Sequence, residues 1–249
     1  AAVCDATGAD VDEIARIVGA DRRIGPHFLR AGLGWGGSCF PKDVLALSAI
    51  AAGHGTDAPI LDAVVKVNQR QRDHAAAVLL KAVAGVEDPR VAVLGLAFKP
   101  DTDDLRGSPA LEVIGQLRSA GVTISAHDPV AMERAAREVP GLALSADAYS
   151  AVEGADAVLV ATEWPEYIQL DWRRVSELMR GTTVVDGRNA LDGRRLRDLR
   201  LRYHSFGRAG IAEANVYEMA HAGHASNDGA ARPAEAFVRA REPVTDSAA

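Results

Sequence analysis

From Arg90 onward, short apolar runs alternate with helical patterns, and this alternation constrains the fold more than any other feature. The runs are Arg90 to Phe98, Val122 to His127, Leu142 to Leu144, Asp156 to Ala161, Thr182 to Asp186 and Leu201 to Ser205. Between them lie helical patterns over Ser108 to Ala120 (closed by Gly121), Ala131 to Val139, Ala146 to Glu153 and Asp171 to Met179. Strands that take turns with helices predict a parallel, doubly wound sheet, so the fold class is α/β.

Residues before Gly85–Pro89 read differently, as helix throughout. Asp10 and Glu13 have the spacing of an N-capping box, opening a helix over Val11 to Val18. Residues 20 to 37, rich in Gly and Arg, read as a loop with a short helix. Pro41 suits the first turn of a helix through Ile50 that ends near Gly53 or Gly55. Asp57 to Val83 is a long helical pattern, apolar at Ile60, Leu61, Val64, Val65 and Val67 and again from Ala75 to Leu80. An apolar face of that length must be buried somewhere, which suggests a homodimer or a larger homo-oligomer, though sequence upstream of Ala1 could equally cover it. The expected domains are 1–84, all helical, 85–212, the sheet, and 213–249, a disordered tail without periodicity.

The 28 Lys and Arg against 34 Asp and Glu leave a net charge of −6, which argues against nucleic-acid binding. No apolar run approaches the roughly 20 residues that span a bilayer, so no membrane partner is expected. Two cysteines, Cys4 and Cys39, do not make a disulfide framework, and a reduced cytoplasmic setting is the expectation. No metal site is expected; His221 and His224 form only an isolated pair in the tail.

The run Gly34-Trp35-Gly36-Gly37-Ser38-Cys39-Phe40-Pro41-Lys42-Asp43 carries the chemistry. It sets a cysteine on a glycine-rich loop at the start of a helix, with Lys42 and Asp43 just beyond. Thiolate is the reactive form of cysteine, and a helix N-terminus or a nearby cation favours it. The layout is that of covalent catalysis, with Cys39 as nucleophile and Asp43 handling water or protons. The alternatives are a small buried cysteine in a tight turn and a helix-start carboxylate meeting the dipole. Gly32, Gly34 and Gly37 satisfy G-x-G-x-x-G, but a dinucleotide fingerprint needs a preceding strand, and the segment before them is polar and helical. His127-Asp128-Pro129 ends a strand and reads as a structural turn.

The cysteine run resembles the catalytic motif of the UDP-glucose/GDP-mannose dehydrogenase family, and its flank Arg23 to Ala31 is similar to that family's lead-in. Leu94-Gly95-Leu96-Ala97-Phe98-Lys99-Pro100-Asp101-Thr102 through Arg106 resembles the opening of its nucleotide-sugar domain, and Val185-Asp186-Gly187-Arg188-Asn189 a late strand-end motif. The Phe-Pro-Lys-Asp ending is closer to the UDP-sugar branch than to the GDP-mannose branch. The resemblance implies NAD as cofactor and a UDP-sugar as substrate, oxidised from C6 alcohol to carboxylate through a cysteine thiohemiacetal and thioester. Arg30, Gly32, Gly34, Trp35 and Gly36 would line the hexose pocket, with Phe28 and with Arg23 from a neighbouring subunit. Phe98, Lys99 and Arg188 would take the uracil and its surroundings, because ligands in such sheets sit beyond the carboxyl ends of strands. Lys42 and Arg106 would meet the cofactor beside Cys39.

The chain opens at Ala1 without methionine, in what reads as the second half of a helix. The resemblance therefore implies a piece whose NAD-binding domain and catalytic lysine, asparagine and acidic residue lie upstream, inactive alone. Two other readings stay open. One is a dehydrogenase of another UDP-sugar such as UDP-N-acetylmannosamine; the other is a noncatalytic UDP-sugar-binding module.

Overall fold

A computed structural model describes residues 1–208. The expected tail and the His221/His224 pair lie outside the described residues. Six parallel strands, β1 (Arg90–Leu94), β2 (Thr123–His127), β3 (Ala143–Leu144), β4 (Ala157–Val160), β5 (Thr183–Asp186) and β6 (Arg202–His204), form one sheet in the order β3-β2-β1-β4-β5-β6. The doubly wound expectation holds. Every residue of β4 and β5 is buried, as is β1 from Val91 on, because helices cover both faces.

The helices are α1 (Ala2–Thr7), α2 (Val11–Gly19), α3 (Cys39–Gly53), α4 (Pro59–Ala82), α5 (Pro109–Ser119), α6 (Met132–Glu138), α7 (Ala148–Val152), α8 (Pro165–Ile168), α9 (Trp172–Leu178) and α10 (Gly193–Asp198). On one face of the sheet Ala92, Leu94, Val158, Val160 and Val184 pack with Tyr167, Trp172, Val175 and Leu196 from α8, α9 and α10. Alternate residues of the same strands face α5 and the second half of α4. Asp10 caps α2 by accepting from the Asp12 and Glu13 amides, as the sequence pattern predicts.

Three expectations need correction. The first strand ends at Leu94 rather than Phe98. Gly95 turns to φ +100°, and the Asp128 carboxylate takes the next two amides, so no ladder continues. Residues 20 to 37 hold turns but no helix. Asp21 accepts from the Arg23 amide, and Gly25 and Phe28 both take positive φ, which right-handed helix cannot accommodate. The short helices α8 and α10 stand outside the expected pattern; Pro165 at the start of one and the Asp192 cap of the other are their local signals.

The apolar face of α4 divides in two. Ala75, Ala76, Val78 and Leu79 are buried, whereas Ile60 and Val67 are exposed. Phe40, Leu45, Leu47 and Ile50 of α3 and Ile14, Ile17 and Val18 of α2 are exposed as well. No helix among the described residues is long and apolar enough to cross a membrane.

Candidate active site

In this strand order the crevice for ligands lies where the chain reverses direction, beyond β1 and β4. In a dinucleotide fold the backbone amides after the first strand face a pyrophosphate. Here the Asp128 carboxylate occupies them, accepting from Leu96 N at 2.7 Å and Ala97 N at 3.1 Å. Its other oxygen accepts from Val130 and Ala131. Thr162 Oγ1 donates to the Ala97 carbonyl at 2.8 Å and fills the space beside Gly95. The sheet's own turn thus does not fit the pyrophosphate of NAD. Asp128 builds a turn, as its place in His127-Asp128-Pro129 suggests.

The glycine loop lies across these strand ends. Leu33, wholly buried, donates its amide to Gly187 O at 2.8 Å, and the Gly37 amide donates to Arg106 O at 3.1 Å. Each glycine has a packing reason. A Cβ on Gly32 would strike the Gly187 carbonyl, and one on Gly36 the Gly107 carbonyl. Gly34 and Gly37 take φ of +98° and +91°, and a Cβ on Gly37 would stand 2.9 Å from the Phe98 ring. The close approaches these glycines permit are therefore between protein segments.

That loop delivers Cys39 as the first residue of α3, with its thiol exposed. The alternative of a small buried cysteine in a tight turn does not apply to Cys39; the buried cysteine is Cys4, 5% exposed within α1. Gly37, Ser38, Cys39, Pro41, Lys42, Arg106 and Gly107 line a cleft of about 530 Å³. Lys42 and Arg106 are near enough to the Cys39 sulfur to interact with it electrostatically. Lys42 pairs with Asp43, and that hydrogen bond and charge raise the lysine above its ordinary pKa. Arg106 is held by Asp104 through Nε to Oδ1 at 2.9 Å and Nη2 to Oδ2 at 2.7 Å. The same contact brings the Asp104 carboxyl down to about 2.

Phe98 sits half-buried against Gly37, and the Lys99 ammonium lies 5.7 Å from its ring centroid. Arg188 turns inward at its strand end and is bound to protein carbonyls. Its side chain is 16% exposed, and it donates to Ala161 O at 2.8 Å, Phe98 O at 3.0 Å and Gly34 O at 3.4 Å. Glu163 Oε2 lies 3.3 Å from its Nε without hydrogen-bonding geometry. Burial lowers the Arg188 pKa, against the opposing charges of Glu163 and Asp186. The guanidinium is a clip joining both strand ends to the glycine loop.

The structure thus brings together Gly32, Gly34, Trp35, Gly36, Cys39, Lys42, Phe98, Lys99, Arg106 and Arg188. Of the expected residues only Cys39, Lys42 and Arg106 line the cleft itself, and Arg23, Phe28 and Arg30 lie on exposed surface without a contact to the glycine loop or the strand ends among those described. Arg23 is paired to Asp21, Phe28 is fully exposed at φ +61°, and Arg30 is exposed. Asp43 reaches the cleft only through Lys42. Asp104, Asn68 and Arg72 bear on the site without having been singled out by the sequence pattern. Polar residues four apart inside the apolar pattern of α4 were the available signal for the last two.

The family model for the UDP-glucose/GDP-mannose dehydrogenase central domain matches residues 1–70, and that for the family's UDP binding domain matches 92–193. A UDP-glucose 6-dehydrogenase of Bacillus subtilis is 40% identical over 210 residues, 84% of this chain and 46% of that protein. One from Pseudomonas aeruginosa is 43% identical over 225 residues, 87% of this chain and 50% of its own length. Among solved structures, a UDP-glucose dehydrogenase from the hyperthermophilic archaeon Pyrobaculum islandicum aligns with a TM-score of 0.72 at 37% identity, covering 81% of this chain and 44% of that one. A UDP-D-ManNAc dehydrogenase from Pyrococcus horikoshii aligns at 0.67 and 28% identity, over 84% and 47%. The chain spans about half the length of the curated relatives it matches.

Proposed function

Because the chain belongs to the UDP-glucose/GDP-mannose dehydrogenase family, we propose that it supplies the cysteine and nucleotide-sugar half of an enzyme oxidising UDP-glucose to UDP-glucuronate. The observation that carries this reading is the exposed Cys39 thiol at a helix start, in a cleft with two cations, on a loop braced against Phe98. A module that only bound UDP-sugar would have no use for such a thiol. Relatives named for UDP-glucose stand at about 40% identity, against 28% for the UDP-D-ManNAc enzyme, which favours glucose over N-acetylmannosamine.

Oxidation of C6 from alcohol to carboxylate removes two hydrides, which NAD accepts. The described sheet turn does not fit that dinucleotide, and the residues of this chain serve the covalent half of the reaction. The C6 aldehyde lacks the transferable hydrogen on an oxygenated sp³ carbon that a second oxidation needs. Addition of the Cys39 sulfur restores it: an S–C6 bond forms, the carbonyl π bond opens and the oxygen takes a proton. As the second hydride leaves C6, the hydroxyl gives up its proton and the thioester carbonyl forms; water then attacks that carbonyl and loses its protons to solvent, the C–S bond breaks and the thiolate departs. Asp43 orients that water, Lys42 holds Asp43, and Lys42 and Arg106 offset the negative charge on oxygen and sulfur. Phe98 and Lys99 hold the uracil and its surroundings, with Arg188 fixing the loop between them and Cys39. Arg30, Gly32, Gly34, Trp35 and Gly36 face the hexose, with Leu33 buried behind them.

In this reading residues 1–84 form the helical unit and 85–212 the sugar-nucleotide unit. A second copy covers the exposed apolar side chains of α2, α3 and the first half of α4, bringing Arg23 and Phe28 toward its neighbour's sugar nucleotide. The protein acts in the cytoplasm.

Aldehyde capture tests the nucleophile without any dinucleotide. Cys4 is buried, so iodoacetamide reports on Cys39 alone. The C6 aldehyde of UDP-glucose should protect Cys39 at concentrations at least tenfold lower than UDP-glucose does. Equal protection by alcohol and aldehyde overturns the assignment of Cys39 as nucleophile.

A further inference from the structure

A loop with four glycines has many conformations open to it, and a nucleophile at its end needs one of them selected. The selection comes from α4. Asn68 and Arg72 lie one turn apart on that helix, 7% and 6% exposed, among otherwise apolar buried neighbours. Asn68 Oδ1 accepts the Trp35 amide at 2.9 Å, and Asn68 Nδ2 donates to the Trp35 carbonyl at 3.0 Å. Arg72 Nη2 donates to that same carbonyl at 2.6 Å, while its Nη1 is paired with Glu112 of α5. The amide and carbonyl of Trp35 belong to consecutive peptide groups, so two peptide planes are held at once. Gly34 has no room for a Cβ because Asn68 Oδ1 stands there.

The hold extends past the cysteine. The Trp35 ring meets Phe40 edge-on, with centroids 4.7 Å apart and planes at 72°. Phe40 follows Cys39 directly, so the loop is fixed four residues before the sulfur and one residue after it. A buried arginine and asparagine directed at backbone, where leucines would serve a plain core, are costly to place and imply a demand on geometry.

We propose that Asn68 and Arg72 are positioning residues that set where the Cys39 sulfur meets the C6 carbon of the bound sugar. The proposal rests on the reading of Cys39 as nucleophile. Sugar-nucleotide affinity, carried by the sheet side, is predicted to be separable from capture of the aldehyde.

The test compares the unaltered chain with Asn68→Ala, Asn68→Asp and Arg72→Lys. Three quantities are read: the thermal midpoint, UDP affinity by calorimetry, and protection of Cys39 from iodoacetamide by the C6 aldehyde of UDP-glucose. Asn68→Ala is expected to keep UDP affinity within about threefold while aldehyde protection weakens tenfold or more. Asn68→Asp keeps the acceptor for the Trp35 amide but sets a carboxylate against the Trp35 carbonyl, and should weaken protection similarly; it replaces Asn68→Ala if that variant does not fold. Arg72→Lys retains a charged donor and should preserve more than half of the protection. Unchanged protection in both Asn68 variants overturns the proposal while leaving the nucleophile standing. Parallel loss of UDP binding and protection also overturns it, because that marks a merely structural role. Absence of aldehyde protection in the unaltered chain removes the nucleophile assignment itself, and the positioning role with it.

Discussion

The helical first third and the sheet obey opposite rules of burial. In the sheet, β4 and β5 are wholly sealed and Trp172, Tyr167 and Leu159 are at most 1% exposed. In α3, fifteen residues long, only Val44 is buried, and among the described residues all but two of the exposed large apolar side chains lie at or before Val67. The candidate site, with the exposed Cys39 and its cleft, nevertheless lies on the poorly covered side. The sheet is held by apolar burial, which is non-directional. The cysteine loop is held by directional bonds to backbone from Asn68, Arg72, Arg188, Gly187 and Arg106, which fix position without requiring much buried area. A loop beside an open cleft cannot be held by packing on every side, so hydrogen bonds take over the task of placement.

The most damaging single change to the sheet side should be Asp128→Ala. It strips acceptors from the buried amides of Leu96, Ala97 and Ala131 and the part-buried amide of Val130. The expected loss is about 3–5 kcal/mol in urea unfolding. A loss under about 1 kcal/mol would mean that the turn after β1 is held by the Thr162 and Ser108 contacts instead.

The seam between the two regions should respond next. Gly36→Ala drives a methyl into the Gly107 carbonyl and within 2.8 Å of Pro109 Cδ, at an expected cost of about 1–3 kcal/mol. Gly53→Ala, at the end of α3 with nothing within 4 Å, should stabilise by about 0.5–1 kcal/mol. Equal responses at the two positions would dissolve the distinction between a seam that needs glycine and a helix that merely tolerates it.

Legibility in the sequence divides along the same line. Period and length announce the strands and the long helices, because each element is locally consistent with its own burial. Gly34 to Asp43 announces the cysteine loop through composition alone. The tether residues are not legible, since Asn68 and Arg72 lie 33 and 37 positions beyond Trp35 and only the fold brings them back. Arg188 is marked by its strand-end position, but its internal bonds to Gly34, Ala161 and Phe98 need three chain segments to converge. The end of β1 is hidden for a like reason: a carboxylate 32 residues beyond Leu96 claims its amide.

The smallest expected effect concerns Asp104, which holds Arg106 at the cleft. Its folded-state pKa of about 2 lies below the ordinary 3.8, first because of the Arg106 side-chain hydrogen bonds, with the Arg106 amide and Arg134 adding to them. A depressed carboxyl favours the folded state above the unfolded value, and that contribution fades as pH falls from about 4 to about 2. Two pKa units correspond to about 2.7 kcal/mol, but Arg106 is 63% exposed and solvent screening reduces this to about 1 kcal/mol or less. Asp104→Asn should lower stability by about 1 kcal/mol or less near neutral pH, where the contribution is fully present, and the loss should shrink toward pH ~2, so that stability against pH, measured by urea unfolding at pH ~2 to ~7, becomes flatter between ~4 and ~2. If Asp104→Asn leaves the acid limb unchanged, the Asp104–Arg106 contact does not hold the loop after β1 in the folded state.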